Sequence, residues 1–257
     1  MVPPFGAEKV VATMKQFACL AVLSAGVCVG ALAPVSASTL SFDAPLSSPG
    51  GFYNGTGGVN AGFTVLNATN SDGSSLELGL SAIQRFVGPI TPSSNDYTVP
   101  LGTSGGDALW DFSFSVYTGT DSLSAYTYSL TITNQVTAAT VTFDPATLLP
   151  DNSYWSGAAS GAETSTRNLS TDDGFQNSEN LSFSFLSSSL GFNPNSTDPY
   201  LITLAADPVD SASVDSVSIE VNPVPEPGSI SIATGGLFLL GIVFIKRRFR
   251  GTSRSIA

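Results

Sequence analysis

Trp110-Asp111-Phe112-Ser113-Phe114-Ser115-Val116 alternates large apolar residues with small or polar ones. Successive side chains of an extended chain point to opposite faces, so this spacing sets Trp110, Phe112, Phe114 and Val116 on one face and Asp111, Ser113 and Ser115 on the other. That is the signature of a half-buried β-strand. The same period of two recurs at Tyr126, Tyr128, Leu130 and Ile132, at Val141 and Phe143, at Leu181, Phe183 and Phe185, at Tyr200, Ile202 and Leu204, and at Val217, Ile219 and Val221. Weaker runs extend from Phe63 to Leu66 and from Leu76 to Leu80. Turn formers separate them: Tyr117-Thr118-Gly119-Thr120-Asp121, Asp144-Pro145, Leu149-Pro150-Asp151-Asn152 and Asn193-Pro194-Asn195.

Roughly seven to nine short strands with Gly, Pro and Asn turns, and no long amphipathic helix, predict an all-β body. An antiparallel β-sandwich and a jelly-roll are equally open. Asp151 to Asn180 lacks alternation and reads as a long surface excursion, and the Gly-rich residues 43–60 read as irregular chain. No internal repeat is visible, which argues against solenoids and propellers.

The charge pattern narrows the chemistry. Between Ser38 and Val224 the only basic residues are Arg85 and Arg167, against 18 Asp and Glu, a net charge of −16. Such a surface repels phosphate backbones, so nucleic acid is an unsuitable partner. The chain has no histidine, the body has no lysine, and both cysteines, Cys19 and Cys28, lie near the N-terminus. That removes Ser-His-Asp and Cys-His nucleophiles, His- or thiolate-bound zinc and Schiff bases from the body.

Paired carboxylates and oxygen-ligand cation sites survive this exclusion. The pairs nearest in sequence are Asp107 with Asp111, Asp172 with Asp173 and Asp207 with Asp210, each more simply explained as solvated loop or strand charge. No cofactor is required. Ca²⁺ is the one cation the residues suit, with Asp72 in Asn70-Ser71-Asp72-Gly73-Ser74 and Asp172 and Asp173 in Thr171-Asp172-Asp173-Gly174 as the candidate ligands. Neither stretch completes an EF-hand, and an Asx turn accounts for each equally. Tyr154 and Trp155, in the predicted excursion, are the candidate glycan-stacking pair, while Trp110 belongs to an apolar strand face.

The two ends of the chain carry signals of another kind. Met14-Lys15 opens an alternative start, followed by the apolar stretch Phe17 to Leu32 and then Ala33-Pro34-Val35-Ser36-Ala37. A basic start, an apolar segment and the small residues Val35 and Ala37 make up a secretory signal peptide, with cleavage expected after Ala37. At the other end, Val224-Pro225-Glu226-Pro227 precedes the uncharged run Ile230 to Ile245, and Lys246, Arg247, Arg248 and Arg250 follow it directly. Such a run covers roughly 24 Å as a helix, a little short of a ~30 Å hydrocarbon core, and flanking residues supply the rest. Basic residues after the helix hold that end in the cytoplasm and place the body outside. The prolines fix φ and lack N–H groups, so the tag is expected to continue neither helix nor strand and to present an extended, accessible peptide.

Together these three C-terminal elements resemble the PEP-CTERM sorting signal of exported bacterial proteins, which an exosortase handles. The resemblance covers about an eighth of the chain and is specific as a set. It implies recognition at Val224 to Pro227, a passing stay in the inner membrane, and delivery to the cell surface or to an exopolysaccharide (biofilm) matrix. The expected organisation is a signal peptide over residues 1–37, one β domain over 38–222 and a sorting signal over 223–257, with a transmembrane helix at 229–245 and a basic tail at 246–257. A non-enzymatic exported protein is the leading expectation. A Ca²⁺-assisted carbohydrate-binding module requires Tyr154 and Trp155 to be exposed, and a carboxylate glycoside hydrolase requires two acids facing across a cleft.

Overall fold

The computed structural model describes residues 37–48, 51–52, 58–70, 73–157, 166–210 and 214–225. The chain divides into two units, Met1–Pro34 and Val35–Ala257, and all described residues belong to the second. Val35, Asp72, Glu226, Pro227, the 229–245 segment and the basic tail with Lys246, Arg247, Arg248 and Arg250 lie outside the described residues. Among the described residues no helix is long and apolar enough to cross a membrane.

In chain order the strands are β1 (Ala37–Ala44), β2 (Phe63–Thr69), β3 (Ser75–Gln84), β4 (Gly88–Pro89), β5 (Asp96–Pro100), β6 (Thr103–Ser104), β7 (Asp107–Ala108), β8 (Trp110–Tyr117), β9 (Tyr126–Asn134), β10 (Thr140–Phe143), β11 (Ser153–Trp155), β12 (Gly174–Glu179), β13 (Tyr200–Pro208) and β14 (Asp215–Val224). Two short α-helices interrupt them, α1 (Pro145–Leu148) and α2 (Ser184–Leu190), together with a 3-10 turn at Leu123–Ala125. One large sheet has the order β1-β2-β3-β8-β12-β11, with β4 on β3, the other large sheet has β10-β9-β13-β14-β5, and β6 pairs with β7 in a small two-stranded sheet. All pairings are antiparallel except that of β14 with β5. The body is therefore all-β with antiparallel sheets, as the alternation predicts. The parallel β5 edge departs from the wholly antiparallel jelly-roll.

The two sheets enclose one core, in which Phe112, Phe114 and Val116 meet Leu130, Ile132, Ile202, Leu204, Ile219 and Val221. Rings from opposite sheets interlock, Trp110 with Tyr200 at 6.4 Å and Tyr128 with Phe175 at 5.2 Å between centroids. Tyr97 on β5 also crosses the gap. Its hydroxyl donates to the Gly62 carbonyl at 2.7 Å and lies 3.2 Å from Thr64 Oγ1, and burial pushes its pKa up to about 12.

The sheet containing β9, β13 and β14 follows simple alternation, apolar inward and hydroxylated outward. Register aligns Thr142, Thr131, Thr203 and Ser218 in one row across four strands. Their hydroxyls pair, Thr131 with Thr142 at 2.9 Å and Thr203 with Ser218 at 2.8 Å.

The sheet containing β8 behaves differently. Asp111, Ser113 and Ser115 were expected on a solvated face, yet all three are buried. That sheet has a second covered surface. Leu46 and Phe52 pack on Phe63 and Val65 over its outer side, and the Glu77 carboxylate fastens the covering segment by accepting the Ser47 and Ser48 amides at 2.8 and 2.9 Å. Leu46 fits because Gly79 has no side chain beneath it.

Two further expectations need correction. The Asp151 to Asn180 stretch contains β11 and β12, which form one side of this sheet. Its inward positions are Phe175, Asn177 and Glu179, so polar residues mask the period. Leu181, Phe183 and Phe185 do not form a strand either. Ser184–Leu190 is helical, buries Leu186 and Leu190 four residues apart, and stops at Gly191 in the left-handed region at φ 60°.

Candidate functional site

The end of β14 places Val224, the first residue of the expected motif, on the folded body. Val221 is the last residue of β14 paired with β13, opposite Tyr200, whereas β5 continues alongside as far as Val224. The Asn222-Pro223-Val224 segment is thus strand, which corrects the expectation that the prolines exclude it. In a parallel ladder alternate residues point their backbone groups to the same side. Glu220 N–H donates to Asn95 and Val224 C=O accepts from Leu101 N–H at 3.0 Å, so even-numbered positions face β5. Pro223 faces the side on which β13 has ended, and its missing N–H breaks no ladder bond. Pro225 follows, exposed, as the last described residue.

Backbone hydrogen bonds extend from this exit to other segments at the same end. Leu109 N–H donates to Gly102, Arg85 N–H to Leu109, and Gly102 N–H to Pro194. Beneath them lies a buried polar cluster. Asn180 Nδ2 donates to Asp111 Oδ1 at 2.6 Å and to the Ala108 and Trp110 carbonyls at 3.0 and 2.9 Å. Arg85 lies 3.1 Å from Asp107 and 3.6 Å from Asp111. Burial raises the Asp111 pKa to about 6, against the lowering effects of Asn180 and Arg85. Asp107 and Asp111 are therefore an ion-paired structural set, held by one guanidinium.

Asn177 Nδ2 donates at 3.0 Å both to Asp151 Oδ1 and to Glu179 Oε1. One amide therefore bridges two carboxylates in different surroundings. Asp151 is exposed, while Glu179 is 2% exposed, and burial, then Asp151 and then Asp111, push Glu179 up to about 8. Burial thus favours the protonated form of Glu179. Divergent carboxyl pairs of this kind perform acid–base chemistry when substrate can reach them. Here the acid is enclosed on the core side of β12, which makes the bridge a latch between β12 and the Asp151 turn. The only sequence signal for it is that Asn177 and Glu179 continue the inward parity begun by Phe175.

Of the proposed calcium ligands, Asp172 and Asp173 are described, and each accepts a backbone amide. Asp172 Oδ2 accepts the Asn168 amide at 2.7 Å and so closes its own turn. Asp173 Oδ2 accepts the Gly157 amide at 2.6 Å. Burial raises the pKa of both. Among the described residues no group of three Asp or Glu side chains is placed to hold a metal.

Tyr154 and Trp155 do not form an exposed shelf, being 2% and 1% exposed. Pairing in β11 sends Tyr154 inward beside Phe175, with its hydroxyl donating to the Ala146 carbonyl at 2.8 Å, and lays Trp155 on Gly174. Flanking Tyr154 is a hollow of about 320 Å³ lined by Thr147, Leu148, Leu149, Pro150 and Arg167. Arg167 donates to the Thr147 carbonyl at 3.1 Å and thereby caps α1.

No protein-family model matches the chain, and no curated protein matches it. Among solved structures the chain is similar to AggA, the major subunit of aggregative adherence fimbriae type I from Escherichia coli, at 12% identity and a TM-score of 0.25. That match covers 58% of this chain and 95% of the fimbrial subunit, and a likeness this loose carries no argument about function.

Proposed function

We propose that the chain is a non-enzymatic exported protein whose β body is delivered to the cell surface or an extracellular matrix, after recognition of Val224 to Pro227 by an exosortase. The observation that carries this reading is where β14 ends relative to the prolines. β1 begins at Ala37, the residue after which the leader is expected to be cut, and β14 ends at Val224, one residue before Pro225-Glu226-Pro227. Removing the leader leaves Ser38 opposite Ala68, so only the terminal pair of β1 is lost. Cutting beyond Pro225 removes no residue of β14. Of the two expected signals, only Ala37, Pro223 and Val224 lie in described strands, at the outer ends of β1 and β14.

The chain acts as a substrate in this scheme. Its body contains no histidine, cysteine or lysine, and its most perturbed carboxyl group is enclosed. Burial of Tyr154 and Trp155 removes the aromatic pair on which the carbohydrate-binding alternative rested.

Replacing Pro225, Glu226 and Pro227 together with alanine, in the bacterial host that makes the protein, tests the reading. The variant is expected to accumulate in membranes while the wild type reaches the medium or the cell surface. Equal release and trimming of both proteins would overturn it.

A further inference from the structure

The most exposed large apolar residues of the described chain are Val87 and Phe86, at 73% and 71%. They occupy the tight turn between β3 and β4, closed by the Val87 amide donating to Gln84 at 3.1 Å. Phe86 has φ +60°, a left-handed conformation that bulky residues rarely adopt. Arg85 braces it from behind: its guanidinium carbon lies 5.2 Å from the Phe86 ring centroid, while the same group is held by Asp107 and Asp111. A ring displayed on a strained, ion-paired mount is unlike an incidental surface apolar residue.

Register places this turn at the end of the body where β14 exits. Gln84 pairs with Trp110, the Trp110 ring meets Tyr200, and Tyr200 pairs with Val221 on one side and Asn134 on the other. Val136, in the turn after Asn134, is exposed at this end too, as is Val224. The opposite end carries the β13–β14 turn, with Asp207 and Asp210 beside Val209.

The length of chain beyond Val224 then selects what lies against this end. Residues 225–229 separate the strand from the apolar run beginning at Ile230, and they reach on the order of 20 Å when fully extended. We infer that, while the chain is held by its C-terminal segment, the Phe86-Val87 turn, with Val136 and Val224 beside it, rests in the lipid interface and docks this end of the body on the bilayer. The inference depends on the membrane-held stage proposed above. Contact is apolar and not electrostatic, because Arg85, the one cation this end presents among the described residues, is already paired with Asp107 and Asp111. Release after processing frees the turn.

Brominated lipid provides the test. The membrane-held form, retaining its C-terminal segment, is reconstituted in phosphatidylcholine vesicles with brominated acyl chains, as the Phe86→Trp, Val87→Trp or Val209→Trp variant. Trp110 and Trp155 are buried and supply the same background in each. Tryptophan at 86 or 87 is expected to be quenched roughly two-fold, as befits an aromatic residue at the interface, with tryptophan at 209 unaffected. Anionic lipid should add nothing to the effect. Vesicle-bound protein in which positions 86 and 87 are quenched no more than position 209 would overturn the docking inference and leave the tether standing. Failure of the unsubstituted chain to float with vesicles would overturn the tether, and docking with it.

Discussion

The two sheets are built on different terms. In the sheet of β9, β13 and β14, each strand buries alternate residues and turns Thr or Ser to the outside, as in Thr131, Thr133, Thr203 and Ser218. In the sheet of β3, β8 and β12, both faces are covered and polar groups lie inside it, including Asp111, Asn177, Glu179 and Asn180. The outward Thr and Ser side chains of the first sheet remain partly open to water, whereas the polar groups inside the second depend on named protein partners. Substitutions should therefore separate the sheets sharply.

The largest effect is expected at the shared core, where Phe114→Ala should lower unfolding free energy by ~3–5 kcal/mol in denaturant titrations. Phe114 is fully buried between Phe112 and Phe175. A loss near 1 kcal/mol would mean that the sheets are not packed as described.

Glu179 offers the pH test. Its ordinary value of 4.5 rises to about 8 on folding, so the native state holds its proton more tightly than the unfolded chain does. The stability linked to this proton is complete below pH 4.5 and disappears as pH rises through about 8. Stability should accordingly fall between pH 5 and pH 9 by an amount on the order of a few kcal/mol, and Glu179→Gln should flatten most of that slope. A variant with an unchanged slope would show that the latch is solvated.

Gly174→Ala should cost about 1–3 kcal/mol, because an added Cβ would fall within the Trp155 indole. Near-UV circular dichroism would register the displaced ring. The smallest effect is expected on the other sheet, where Thr131→Ala should stay within about 0.5 kcal/mol of the parent protein. A larger loss there would erase the distinction between the sheets.

What the sequence reveals follows the same division. β8, β9, β13 and β14 are legible because apolar residues recur at every second position and turn formers bound them. β11 and β12 are not, since the inward sequence Phe175, Asn177, Glu179 substitutes side-chain hydrogen bonds for apolar burial. Leu181, Phe183 and Phe185 imitate a strand, although Leu186 and Leu190 carry the helical spacing that prevails. Burial of Tyr154 and Trp155 was hidden by the short length of β11, whose pairing with β12 alone decides which way each ring points. The exit strand reached Val224 because β5 outlasts β13 beside Pro223, a long-range relation that local proline chemistry does not disclose.

The sorting account predicts that the leader and the apolar tail are both cut away from the released body, and intact-mass measurement of the released protein tests it most directly. A form beginning at Ser38 and ending between Pro225 and Ser229 is predicted. Released protein that still carries Ile230 to Ala257 would contradict the account.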